Sequence, residues 1–160
     1  MLIRNFRPDD APLLRTVFYA SVHQLAARNY TPEQREAWAP LEYDAAQWAA
    51  RLQANQPFVA ELDGAVAGFA DLQDSGYIDQ FFVAPACAGC GVAKALMAHI
   101  EASAARRGIT ALFADVSLTA EPFFSVSGFT VEQRQQVERQ GVGLRNARMG
   151  KALATGLHRS

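Results

Sequence analysis

The segment Val83-Ala-Pro-Ala-Cys-Ala-Gly-Cys-Gly-Val-Ala-Lys94 follows an apolar run, Tyr77 to Val83, and opens a long helical pattern. This junction limits the fold. A strand that passes through a loop into a helix and on to the next strand implies a parallel pair with a right-handed crossover. The junction also has chemistry. The first N–H groups of a helix lack internal partners, and the macrodipole adds partial positive charge there. Glycines let the backbone approach an anion and let successive N–H groups point the same way. A phosphate or pyrophosphate is the expected occupant.

The rest of the chain reads as elements around that junction. Leu2 to Phe6 is a first strand, and Pro8-Asp9-Asp10 starts a helix with Leu14, Val17, Phe18, Val22 and Leu25 at helical spacing. Thr31-Pro-Glu-Gln34 is a capping-box pattern with Pro at the first helical position. Asp44 caps a third helix through about Gln53. Strands Phe58–Leu62 and Ala65–Leu72 are joined by Asp63-Gly64, a strong hairpin signal. Helix Val92 to Arg107 turns Leu96, Met97 and Ile100 inward, and Gly108 ends it. Strand Thr110–Val116 follows. Thr119 is read as the cap of a short helix closed by Gly128, and two polar-rich strands, Phe129–Glu138 and Gly143–Leu153, complete the order. That order is a mixed α/β sandwich rather than a doubly wound fold.

The 160 residues fit one domain, taken as residues 1–160, with half of them hydrophobic. A net charge of −1 argues against broad nucleic-acid binding. No apolar run approaches the ~20 residues of a membrane span. The N-terminus lacks the apolar core of a signal peptide. The cytoplasm is therefore the expected compartment, with reduced cysteines. Cys87 and Cys90 form a C-x-x-C, read either as small loop residues or as a redox dithiol. Two thiols do not complete a zinc site, and His23, His99 and His158 are not spaced to help, so no metal is expected.

Three ligand classes can be tested against the loop. A phosphate-binding P-loop needs G-x-x-x-x-G-K-[ST], and Ala95 stands where the magnesium-binding hydroxyl belongs. A dinucleotide fingerprint needs a third glycine where Lys94 stands, on the first strand rather than the fourth. The third class is an acyl-coenzyme A. Val83, Pro85, Gly91 and Ala93 fall in register with V-x-P-x-x-Q-x-x-G-x-G/A, and the chain here resembles the GNAT superfamily of N-acetyltransferases. Ala88 stands in place of the Gln or Arg. Phe123-Phe-Ser-Val-Ser-Gly-Phe129 resembles the family's late F-Y-x-x-x-G-F segment. Ser117–Phe124, Ala37-Trp38-Ala39-Pro40 and Arg145-Asn-Ala-Arg-Met149 most resemble the YafP-like bacterial branch.

The resemblance implies a GNAT-like α/β fold. Its central sheet is mixed and mostly antiparallel, with about 6–7 strands, flanked by helices. It implies an acetyl-coenzyme A-dependent N-acetyltransferase in which a primary amine attacks the thioester directly. An amine of pKa ~10.4 is free only at about 0.04% at pH 7, so a base or a desolvated pocket helps. The implied cofactor contacts are Phe82, Val83, Ala88, Gly89, Cys90, Gly91, Val92, Ala93, Lys94, Ser117 and Phe124. The backbone N–H of Phe81 or Phe82 is the implied oxyanion donor.

Residues 77, 79, 81 and 83 share one face of a regular strand. On that face Asp79 is the candidate base, against an ordinary strand-edge carboxylate bonded to a neighbour. The family's leaving-group acid is a tyrosine where this chain has Phe124, so Tyr77, Tyr30 or Ser117 must substitute if an acid is needed. His23, Trp38 and Trp48 are read first as packing residues. Arg134, Arg139, Arg145 and Arg148 are left unassigned. The alternative function is a coenzyme-A-binding regulatory protein with vestigial catalysis. The partners implied are acetyl-coenzyme A and an amine, with no nucleic acid and no membrane. Pairing of the late strands across a homodimer is left open.

Overall fold

A computed structural model describes residues 1–154. The sequence expectations for residues 155–160, including His158, lie outside the described residues. Strand β1 (Leu2–Asn5) leads through a 3₁₀ turn into helix α1 (Ala11–Ala20). That helix continues as a π turn over Ser21–Leu25, which carries the chain toward α2 (Pro32–Trp38). The capping box at Thr31 and Gln34 forms in both directions. Asp44 caps α3 (Ala45–Asn55) by accepting the Gln47 N–H at 3.0 Å.

Strands β2 (Phe58–Leu62) and β3 (Ala65–Ala70) form the hairpin that Asp63-Gly64 announces. Both turn residues have positive φ, 54° and 79°, as a two-residue mirror-image turn requires. Helix α4 (Val92–Arg106) follows the glycine loop, then β6 (Ala111–Ser117), α5 (Glu121–Val126), β7 (Thr130–Arg139) and β8 (Val142–Ala152). The N-cap of α5 is Ala120, not Thr119. The Thr119 hydroxyl instead donates to Asn29, tying the loop to the far side of the chain.

One expectation is corrected by the sheet. The apolar run Tyr77–Val83 is two strands, β4 (Tyr77–Ile78) and β5 (Phe81–Val83). The first pairs in parallel with β6, Tyr77 opposite Phe113. The second pairs antiparallel with β3, Phe82 opposite Phe69. The eight strands thus form two four-stranded sheets, in the orders β1-β2-β3-β5 and β4-β6-β8-β7. Asp79 and Gln80 are the crossing point. The mixed, mostly antiparallel α/β class holds, with eight strands where about 6–7 were expected.

Two cores hold the first sheet between helices. Leu96, Met97 and Ile100 of α4 pack with Ala60, Ala67 and Ala70 on one side. Leu14, Val17 and Phe18 of α1 pack with Trp48, Leu52, Val59 and Phe69 on the other. Each such buried side chain contributes about 1.5–3 kcal/mol of transfer free energy. The cores fix both ends of β5 and so fix the gap that opens beside it.

Candidate functional site

The gap follows from the ladder. The Asp71 N–H donates to the Gln80 carbonyl at 3.1 Å, and the Ala84 N–H to the Ala67 carbonyl at 2.8 Å. Groups facing a partner alternate along an antiparallel strand. Residues 80, 82 and 84 therefore turn their main-chain groups to β3. The N–H groups of Phe81 and Val83 turn the other way, toward β6. Among the described residues no strand fills that side, because β4 leaves β6 after Ile78. A small cavity of about 60 Å³, lined by Ile78, Phe81, Ala114, Val116 and Ser117, marks the apex of the wedge.

Two larger spaces meet there. On one side lies an apolar pocket of about 180 Å³, lined by Val22, Phe81, Val83, Ala93, Phe123 and Phe124. On the other lies a polar cleft of about 490 Å³ that contains Tyr30, Tyr77, Asp79, Gln80, Asp115 and Asn146. Trp38 and Ser117 border both spaces. The single face expected for 77, 79, 81 and 83 is thereby corrected. Tyr77, Asp79 and Phe82 line the cleft, while Phe81 and Val83 line the apolar pocket. The strand break reverses the alternation.

Ala93 joins the apolar pocket to the glycine loop. Cys87 to Cys90 form a turn closed by the Cys90 N–H to the Cys87 carbonyl at 3.2 Å, with Ala88 extended and Gly89 at φ 81°. This is a type II turn, which requires positive φ at its third residue. Gly91, at φ 84°, caps α4. The first intrahelical bond is from Ala95 to Gly91, so the amides of Val92, Ala93 and Lys94 precede it and stay open. A Cβ at Gly89 or Gly91 would meet nothing within 4 Å, so the space before these amides is clear. Cys87 is half-buried, Cys90 is exposed, and both are free thiols.

Asp79 sits at the break. Arg51 of α3 reaches it at 2.9 and 3.2 Å, and the Asn55 amide donates to it at 2.8 Å. All three bonds fall on Oδ2. The Tyr77 hydroxyl donates to Asp115 at 2.8 Å. Burial, and then that bond, raise the Tyr77 hydroxyl above the ordinary tyrosine range. Asp115 also accepts from Gln135 at 2.6 Å and Arg148 at 2.9 Å. Burial pushes its carboxyl up, but the bonds from Arg148, Tyr77 and Gln135 outweigh it and hold the group below the usual range. The Tyr30 hydroxyl donates to the Arg145 carbonyl and accepts the Leu118 N–H at 2.9 Å. Burial raises its pKa as well. Phe124 is 3% exposed and packs edge-on against Phe81, Phe123 and Phe129.

The structure brings together residues that the sequence did not single out. Asp71, fully buried, accepts the N–H groups of Asp79 at 2.8 Å and Gln80 at 3.0 Å. Burial raises its pKa to about 7. Gln80 Nε2 and Asn146 Oδ1 are the buried side-chain atoms without a partner among the described residues, and both residues line the cleft. A carboxylate inside the apolar run Ala70-Asp71-Leu72 was the available signal for Asp71. Asp115 gave none, since its partners come from three other strands.

The unassigned residues find ordinary places. His23 Nε2 lies 2.8 Å from the Ala39 carbonyl and its ring stacks on Tyr19. The Trp48 indole donates to the Ala11 carbonyl in the core. Arg134 pairs with Glu121 and Arg148 with Asp115. Arg139 and Arg145 lie at the cleft. Among the described residues, no group of three or more His, Cys, Asp or Glu could hold a metal ion. No helix among them is long and apolar enough to cross a membrane.

Comparison with known proteins agrees with this geometry. Residues 26–153 match the family described as acetyltransferase (GNAT) domain. The chain is 35% identical over 144 residues to the uncharacterized N-acetyltransferase YafP of Escherichia coli, covering 90% of this chain and 91% of that protein. It superposes with TM-score 0.91 on a GCN5-related N-acetyltransferase from Rhodopseudomonas palustris, at 38% identity and 95% coverage of both chains. At 20% identity, PaiA N-acetyltransferase of Thermoplasma acidophilum, solved in complex with coenzyme A, shares the fold with TM-score 0.73 over 94% of this chain and 98% of that one.

Proposed function

The chain belongs to the acetyltransferase (GNAT) family and is an N-acetyltransferase, and we propose that it carries an acetyl group from acetyl-coenzyme A to a primary amine across the wedge between β5 and β6. The wedge carries this reading. There open main-chain donors, the glycine loop and a polar cleft meet along a single path. The pyrophosphate binds the open amides around Gly89–Lys94. The acyl arm runs through the apolar pocket past Val83 and Phe124. Its thioester carbonyl takes the N–H of Phe81, since that of Phe82 faces β3. This donor stabilises the oxyanion formed when the amine attacks.

The amine enters from the cleft. Asp79 accepts its proton through Oδ1, the oxygen left free by Arg51 and Asn55. The tetrahedral intermediate then collapses, the C–S bond breaks, and coenzyme A leaves as a thiolate. Phe124 donates no proton to it. A thiol of pKa ~8.5 is a fair leaving group unaided. Tyr77 and Tyr30 hold the cleft walls through their bonds to Asp115 and Arg145, and Ser117 meets the arm where the two spaces join. Gln80 and Asn146 line the cleft along the path of the acceptor. The reading extends to a single acetyltransferase domain over residues 1–160, located in the cytoplasm. β7, an edge strand of its sheet, would be the surface for pairing in a homodimer.

Thiol release from acetyl-coenzyme A, measured against a panel of primary amines, tests this. Amine-dependent release with formation of the amide is expected. Binding of coenzyme A without turnover on any amine would leave a cofactor-binding protein.

A further inference from the structure

The geometry points to Asp71 as the positioning residue that holds the wedge open, a role that rests on the acetyl-transfer reading above. At the break the chain must leave one sheet and join another. The N–H of Asp79 falls between the two ladders there, and that of Gln80 faces Asp71, one residue past the end of β3. A buried N–H without a partner is costly, so something must accept both. The Asp71 side chain does so, Oδ1 from Asp79 and Oδ2 from Gln80. An ionised carboxylate has acceptor sites only, on both oxygens. No neutral side chain of its size offers two acceptors and no donor.

The same group is linked to the cleft residue Asp79 through Asn55. The Asn55 amide lies 3.3 Å from Asp71 Oδ2 and 2.8 Å from Asp79 Oδ2. Asp71 thus sets the main chain of Asp79 directly and its side chain through Asn55, with Arg51 completing the set. Phe81, whose N–H faces the thioester, is the next residue but one after Asp79. A shift at the break misaims both groups, and misplacement by about 1 Å can cost 10²-fold in rate. Asp71 touches neither the cleft nor the apolar pocket, so its action is indirect. Its raised pKa fits a carboxylate kept in the core despite the cost of burying it.

Asp71→Asn tests the role, because it keeps shape but presents one acceptor and one donor to two N–H groups. Turnover is expected to fall at least tenfold, with the dissociation constant for coenzyme A within about twofold. The melting temperature at pH 8 is expected not to fall, because a buried charge is removed. Turnover within twofold of the parent overturns the role. So does a loss matched by equal losses of cofactor affinity and melting temperature, the signature of a merely structural residue. Hydrogen exchange at the Asp79 and Gln80 amides reads the same break with no acceptor present. Protection is expected to drop in Asp71→Asn, and unchanged protection overturns the assignment even if no amine is turned over. Should that variant fail to fold, Asn55→Ala removes the bridge from Asp71 to Asp79, together with longer contacts to Gln80 and Gln73. A lower kcat with cofactor affinity kept is expected, and parental kcat overturns the proposal.

Discussion

Arg51 grips Asp79 by one oxygen, with Nη2 and Nε both directed at Oδ2. The Asn55 amide lands on the same atom. The pair is partly open to solvent, so it contributes little to stability. Its effect is orientation. It occupies one oxygen of the carboxylate and leaves Oδ1, the oxygen to which the proposed reading assigns the amine's proton.

Asp79→Asn is expected to lower kcat by about 10²–10⁴, the usual worth of a general base. Affinity for acetyl-coenzyme A should stay within a few-fold, since the loop is untouched. Steady-state rates and calorimetric titration check both. A kcat within threefold of the parent would return Asp79 to the status of a strand-edge carboxylate.

Gly91→Val is expected to weaken acetyl-coenzyme A first. A Cβ at this position meets no atom of the described chain within 4 Å. The change does place a branched residue at φ 84°, a strain of about 1–3 kcal/mol. It also fills the space through which an anion reaches the amides of α4. A dissociation constant raised at least tenfold, measured by titration on folded protein, is the expected result. Unchanged affinity would mean that the loop does not hold the cofactor.

Phe124→Tyr asks whether leaving-group protonation limits the rate. The ring lies at the border of the apolar pocket and the wedge. Unchanged kcat at neutral pH is expected, because the thiol departs without help. A gain approaching 10²-fold would show that proton delivery is limiting.

The pH dependence of stability carries the mark of Asp71. Its folded pKa, about 7, lies above the unfolded value of about 3.9. Between those values the folded chain keeps a proton that the unfolded chain has released. The contribution is therefore complete below pH ~4 and is lost as pH rises through ~7. Asp115 runs the other way. Its folded pKa is depressed, so its contribution is present above the unfolded value and lost as pH falls through the folded one. Melting curves from pH 4 to 8 should lose a falling component in Asp71→Asn, while Asp115→Asn should leave that component in place.

Local signals in the sequence were reliable where one short segment determines the result. Asp63-Gly64 and the Thr31 capping box close their hydrogen bonds within a few residues and form as read, and the glycine loop turns from β5 into α4 where the sequence placed that turn. The break at Asp79–Gln80 was read through because the polar pair sits inside an otherwise apolar run of strand length, and the partners on either side are what divide it. The Tyr77–Asp115–Arg148 group joins residues from three strands, so no spacing along the chain announces it. Thr119 looked like a cap, but Asn29, ninety positions away, takes its hydroxyl.

The seam between the two sheets has a mechanical consequence. Elsewhere each sheet is closed by its own ladder, but beyond Ile78 no strand among the described residues spans from β5 to β6. A cofactor arm lying there would act as a removable rung, accepting from Phe81 and Val83 on one side and touching Ser117 on the other. Ligand binding and cohesion of the sheets would then be one equilibrium. Saturation at a hundredfold over the dissociation constant would add about 2.7 kcal/mol to the folded state. The shift in melting temperature would then report how well a molecule bridges the seam, independent of whether it reacts.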